Sequence, residues 1–389
     1  MNLVNLASTG AATSESHEET KRIMQICNAC RYCEGFCAVF PAMERRREFG
    51  VGDTAYLANL CHNCGACYHS CQYAPPHEFA VNAPETLAER RVDSYAEFAW
   101  PRPMGKLFER NGLVVSMVLV AVLSLAVGLM LAMINPTLFW GVHLGEGAFY
   151  QIMPHTVMAG IPLGITAFVV VSFIMGWRNY WRATGISIPS TAKNKFGLMI
   201  AAIGDAMAAS ASLRYLGGDN AGDGPGCPQG YAGGDDRSSN ARKYYHHLTF
   251  YGFMMCFAST SLGTIYHYVF HREAPYGYFE LPVVLGTVGG IILCIGTAGL
   301  WVEKRRMAAA MISWRRLGMD YAFIGLLFSV SLTGLILLVL RETSLMGLTL
   351  AIHLGFVYAF FLVLPFSKFV HGLYRFAALI QSAIETKHS

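Results

Sequence analysis

Cys27-Asn-Ala-Cys30-Arg-Tyr-Cys33-Glu-Gly-Phe-Cys37 is matched in form by Cys61-His-Asn-Cys64-Gly-Ala-Cys67-Tyr-His-Ser-Cys71. Both runs have the spacing C-x2-C-x2-C-x3-C. A cubane iron–sulfur cluster needs four thiolates. Three on one tight loop cap three iron corners, and in two-cluster ferredoxins the last cysteine of each run serves the other cluster. The spacing therefore assigns Cys27, Cys30, Cys33 and Cys71 to one 4Fe–4S cluster, and Cys61, Cys64, Cys67 and Cys37 to a second. Structural zinc is a poor alternative, because it usually takes separated pairs of ligands in a tetrahedral array.

Bacterial ferredoxins place Pro directly after the fourth cysteine. Here Ala38 and Gln72 follow, with Pro41 and Pro75 displaced. The 23 residues between the runs carry helix-friendly charged and apolar residues rather than a hairpin pattern. This head looks like the α-helical ferredoxin type found in succinate dehydrogenase and heterodisulfide reductase subunits, and a mostly α-helical domain over 1–105 is expected. The opening MNLVNLASTGAATSESHEET has no basic stretch leading into an apolar core. No secretory signal is expected, and the head should stay in the cytoplasm, where cysteines bind metal rather than pair.

Outward from the head the composition changes. The 389 residues are 54% hydrophobic and 14% charged, whereas soluble domains average about 25% charged. Apolar runs long enough to cross a bilayer lie at 113–134, 152–177, 248–270, 281–302, 319–340 and 345–367, the last continuing to 371. They predict a six-span transmembrane helix bundle over 106–389. The stretch 196–211 is shorter and contains Asp205, which suggests a buried or interfacial helix. Residues 217–240 are rich in Gly, Asp, Asn and Ser and read as a loop.

Basic residues set the orientation. Arg178, Arg182, Lys193, Lys195, Arg242 and Lys243 flank or lie in the loop 178–243, and Lys304, Arg305 and Arg306 follow the fourth run. The connection 135–151 has neither Lys nor Arg. Six spans with both termini cytoplasmic satisfy the positive-inside rule, which implies a multi-pass protein of a bacterial inner membrane. A seventh span at 196–211 would put basic loops on opposite sides.

Ionisable residues inside spans are functional candidates. His353 and His371 are 18 residues apart, five turns of one continuous helix and about 27 Å along its axis. On the antiparallel third span, His246 or His247 stands at the inner end and His267 near the outer end. The expected pairs are His246 with His371 inside and His267 with His353 outside, ligands for one or two b-type haems. His155 and His271 are spare candidates, and His143 reads as a solvated loop residue. Capping of helix ends is the plainer reading of these histidines. Cys256 and Cys294 read as packing residues, and Cys227 as a surface thiol.

The whole layout resembles the tricarballylate utilisation protein B family, also called citrate-utilisation protein B, and the second half of fused CobZ-type proteins. Besides the cysteine runs, the resemblance rests on HHLTFYGFMMCFAST (246–260), Tyr266-His267-Tyr268 and LPFSKFVHGLYRFAAL (364–379). It implies an electron-transfer partner role: reoxidising the reduced FAD of a separate dehydrogenase that acts on tricarballylate, and delivering the electrons to membrane quinone. The chain has no Gly-rich dinucleotide fingerprint, so the flavin must belong to the partner. Two other functions compete: a quinol-oxidising subunit running electrons the other way, and a haem-free anchor for a cytoplasmic redox enzyme. No nucleic-acid partner is expected.

Overall fold

The computed structural model describes residues 14–188, 194–216, 240–307 and 309–388. Cys227 and most of the glycine-rich loop lie outside them. Among the described residues there are helices and turns but no strand. The head comprises α1 (Glu15–Cys30), α2 (Val39–Glu44), α3 (Val51–Leu60), α4 (Ala66–His69) and α5 (Ala83–Phe98). Local chemistry fixes these boundaries. Asn82 accepts from the Glu85 backbone N–H at 3.3 Å, with Pro84 in the first turn of α5. Asp53 accepts from the Gly50 N–H at 3.1 Å and starts α3.

The bundle follows. Its helices are α6 (Asn111–Met133), two short turns α7 (Pro136–Phe139) and α8 (Ala148–Ile152), and α9 (His155–Thr184). Next come α10 (Lys195–Ala211), α11 (Ala241–Tyr268), α12 (Leu281–Arg306), α13 (Trp314–Leu340), α14 (Met346–Val363) and α15 (Val370–His388). Six of these segments are long and apolar enough to cross a membrane. Their outward faces carry bare apolar side chains, such as Leu163 at 72% and Val339 at 74% exposure. A water-facing surface rarely shows so many, whereas lipid solvates them. The helix α10 is not a span. Ala202, Ala206 and Ala209 bury against the tail helix, and Asp205 pairs with Lys387 at 2.9 Å.

The last span differs from the sequence expectation. It is not one helix through residue 371, because α14 ends at Val363, a short 3-10 turn covers Leu364–Phe366, and Ser367 is extended. Pro365 explains the break: it has no N–H to donate and its ring crowds the preceding turn. Asn111 donates its side-chain amide to the freed Phe366 carbonyl, and Ser367 Oγ accepts from the Phe369 N–H at 3.3 Å as α15 begins. His353 and His371 therefore sit on two separate helices.

Helix α15 leaves the bundle and enters the core of the head. Tyr374, Ala377, Ile380 and Ile384 bury with Met24, Tyr56, Leu57 and Tyr95 in one cluster. Tyr180 of α9 stacks on Tyr374 at 5.1 Å, and Arg46 reaches Glu385 at 2.7 Å. At the same level Asp320 bridges Lys304 (2.6 Å) and Lys368 (2.7 Å), tying α12, α13 and the α14–α15 break together. The three groups are 9–19% exposed. Removing one member of so buried an ion set is the costly change, because the others stay desolvated.

Candidate iron–sulfur and haem sites

Both cysteine loops turn by the same device. Arg31 and Gly65, each directly after the second cysteine of its run, are left-handed at φ 56° and 88°. That reversal lets the third cysteine point back toward the first two. Glycine adopts the conformation freely, whereas arginine meets a steric cost. The Arg31 N–H donates to the Cys27 carbonyl at 2.8 Å and secures the first turn.

Cys27, Cys33, Cys37 and Cys67 fall into two sets by the sulfurs nearest them. Burial, helped by the neighbouring sulfurs of Cys33, Cys71 and Cys30, pushes Cys27 up to about 12. Cys33, half-buried, is also raised to about 12 by desolvation and by Cys71 and Cys30. Burial also raises Cys37 and Cys67, but their sulfur neighbours are chiefly Cys64 and Cys61. The last cysteine of each run thus stands with the other run. Cys33 is felt by both Cys37 and Cys67, so the two sets adjoin.

Thiols this reluctant to ionise need cations to become ligands. Among the described residues no three Cys, His, Asp or Glu side chains close around a single ion. A cubane fits that spread, since each thiolate binds its own iron corner. A cavity of about 230 Å³ opens beside the first set, lined by Cys27, Cys30, Cys33, Cys67 and Cys71. Its rim is at the surface, with Tyr32 66% exposed. The second set lies deeper, toward the bundle, and Cys61 is buried.

Below the second set stand His246 and His371, with ring centres 6.2 Å apart and planes at 83°. A metal–imidazole bond is about 2 Å, so two rings on opposite faces of one iron have centres about 6 Å apart. The His371 Nδ1–H donates to the Lys368 carbonyl, which leaves Nε2 as the free lone pair. Among the described residues His246 Nδ1 is buried with no hydrogen-bond partner. Phe253 of α11 and Phe369, directly before α15, pack with ring centres 5.8 Å apart. These residues fit a bis-histidine haem. His247 turns away, against Tyr251.

The outer histidines have other neighbours than the sequence suggested. His267 stacks on His155 with centres 3.7 Å apart, and Tyr150 Oη lies 3.5 Å from its Nδ1. His353 hydrogen-bonds Thr333 at 3.2 Å and lies over Gly334, where a methyl group would come within 3.0 Å of the ring. His143 lies between Gln151 and the Leu138 carbonyl.

Sequence reasoning missed two residues that join the upper and lower sites. Arg242 donates to the Asn63 carbonyl at 2.7 Å, and Arg375 to the Cys61 carbonyl at 2.9 Å. Arg242 lies four residues before His246, and Arg375 four after His371. Each is one helical turn from its histidine. That spacing is the signal the sequence offered.

A helical, ferredoxin-like cysteine head set on six apolar helices defines a multi-pass iron–sulfur membrane protein. Residues 20–97 match the family model described as citrate utilization protein B Fer4-like domain, and residues 107–389 match that of citrate utilization protein B. A protein of Escherichia coli called citrate utilization protein B is 46% identical over 379 residues, which cover 96% of this chain and 94% of that one. The chain belongs to the citrate utilization protein B family. No solved structure matches it. Membership and the Fer4-like head fit an electron-transfer role in citrate or tricarballylate utilisation.

Proposed function

We propose that this protein takes electrons from the reduced FAD of a partner dehydrogenase, one acting on tricarballylate or a like tricarboxylate, and delivers them to membrane quinone. The bound clusters and b-type haem supply the one-electron chemistry. The observation that carries the reading is the contact between the Cys61–Asn63 loop and the helix turns bearing His246 and His371, through Arg242 and Arg375. The surface rim at Tyr32 faces the partner. Cys27, Cys30, Cys33 and Cys71 hold the first cluster there, and Cys61, Cys64, Cys67 and Cys37 hold the second below it. His246 and His371 receive the haem, and the apolar helices exclude water from it.

The basic loops support an orientation with the head and both ends on the cytoplasmic side of a bacterial inner membrane. A reporter fused after residue 145 should read outside and one after residue 310 inside; an inside signal at 145 overturns that orientation. The function itself is tested on anaerobically purified protein in detergent. It should contain close to eight iron and eight acid-labile sulfide in the head, plus haem. A reduced flavin dehydrogenase should bleach the oxidised haem spectrum, and added quinone should restore it. Protein with full clusters and no haem would instead be an anchor, and zinc without sulfide would end the electron-carrier reading altogether.

A further inference from the structure

Three guanidinium groups from three different helices converge on the short stretch that carries Cys61. Arg91 of α5 donates to the carbonyls of Ala58 and Cys61, both at 2.6 Å. Arg375 of α15 donates to Asn59 at 3.3 Å and to Cys61 at 2.9 Å. Arg242 of α11 donates to His62 at 3.3 Å and to Asn63 at 2.7 Å. Among the described residues neither Arg91 nor Arg375 forms an ion pair with a carboxylate. For Arg91 and Arg375 every acceptor named here is a backbone carbonyl, so these bonds leave their positive charge uncancelled.

The first cysteine loop has a different setting. Arg31 is exposed and donates to the Asn28 carbonyl at 3.1 Å. Exposed Glu34 and half-buried Glu44 lie near it, so charges of both signs meet there. Solvent screening makes such surface charges weak, whereas half-buried ones act over the low-dielectric interior.

A cluster bound by four thiolates becomes more negative when it is reduced, and its potential follows net charge, hydrogen bonding to sulfur and solvent exposure. Burial alone disfavours the more charged state and would make the deeper cluster the poorer acceptor. Three buried or half-buried cations oppose that penalty, and the Asn63 N–H, 3.3 Å from Cys61 Sγ, adds to them.

We infer that Arg91, Arg242 and Arg375 are positioning residues that raise the reduction potential of the Cys61/Cys64/Cys67/Cys37 cluster above that of the Cys27/Cys30/Cys33/Cys71 cluster, and so direct electrons from the surface toward the membrane. One electron leaves the first cluster, which is oxidised, and enters the second, which is reduced; no bond forms or breaks and no proton moves. The inference rests on the two-cluster reading of the cysteines and adds the order of their potentials.

The test is a redox titration of the intact, detergent-purified protein followed by electron paramagnetic resonance. Iron and sulfide are counted in each sample. The wild type should show two one-electron transitions. In Arg375→Gln and in Arg242→Gln the higher transition should fall while the lower stays, with the equilibrium between clusters shifted about tenfold toward the first, about 59 mV for one electron. Arg375→Lys, which keeps the charge, should restore most of the difference. If both transitions stay in place with iron and sulfide complete, or both fall together, the arginines only tie the head to the bundle and the inference is wrong. Should Arg375→Gln lose its iron, Arg242→Gln and Arg375→Lys decide the matter. Absence of clusters from the wild type would defeat the underlying reading instead, a separate outcome.

Discussion

The imidazoles of His246 and His371 face each other across the head side of the bundle, 6.2 Å between centres and close to perpendicular. One ring comes from an unbroken helix and the other from a helix that restarts after Pro365. Their meeting therefore depends on the break, which turns α15 independently of α14.

This pair gives the first prediction. His246→Ala and His371→Ala should each abolish the haem on the head side, read as haem content and the reduced absorption spectrum. His247→Ala, His267→Ala and His353→Ala should leave that haem in place. Full haem content in both of the first two variants would overturn the ligand pair.

The crossed cysteine sets give the second. Cys71→Ser should damage the cluster held by Cys27, Cys30 and Cys33 and spare the other, and Cys37→Ser should do the reverse. Electron paramagnetic resonance of each reduced variant separates the two patterns. Loss of the second cluster in Cys71→Ser would mean that each run binds its own cluster.

The shared left-handed turn gives the third. Gly65→Ala combines φ 88° with a close approach to Met311 Sδ, 2.5 Å from where the new methyl would stand. It should lower thermal stability and cluster occupancy. Arg31→Gly removes a strained side-chain residue at φ 56°, and should stabilise the head by about 1 kcal/mol. Thermal melts of the two variants should move in opposite directions; a gain in Gly65→Ala would refute the argument.

Much of this was legible in the residues, for reasons that differ by element. The cysteine spacing marks both loops, because three donors on one tight loop leave few alternatives to a cluster. The spans follow from length and charge alone. The broken last span was also written in the sequence, at Pro365 and Ser367, but an apolar run reads as continuous when only hydropathy is followed. The pairing of His267 with His155 was not legible, since it depends on how α8, α9 and α11 end at the far side. Nor was the role of Tyr374, Ala377 and Ile384, whose apolar stripe on α15 suggests a membrane surface as readily as a protein core.

That stripe has a consequence for how the molecule is made. The head is encoded first, yet Met24, Tyr56, Leu57 and Tyr95 close their packing only against side chains near the other end of the chain. Once residue 98 has emerged from the ribosome the domain is still half-built, with apolar surface awaiting the last helix. The six crossings must be threaded before that helix arrives. Assembly is thus circular: the cysteine domain is made before the spans and completed after them, and a truncation within α15 would reach back to the cysteines.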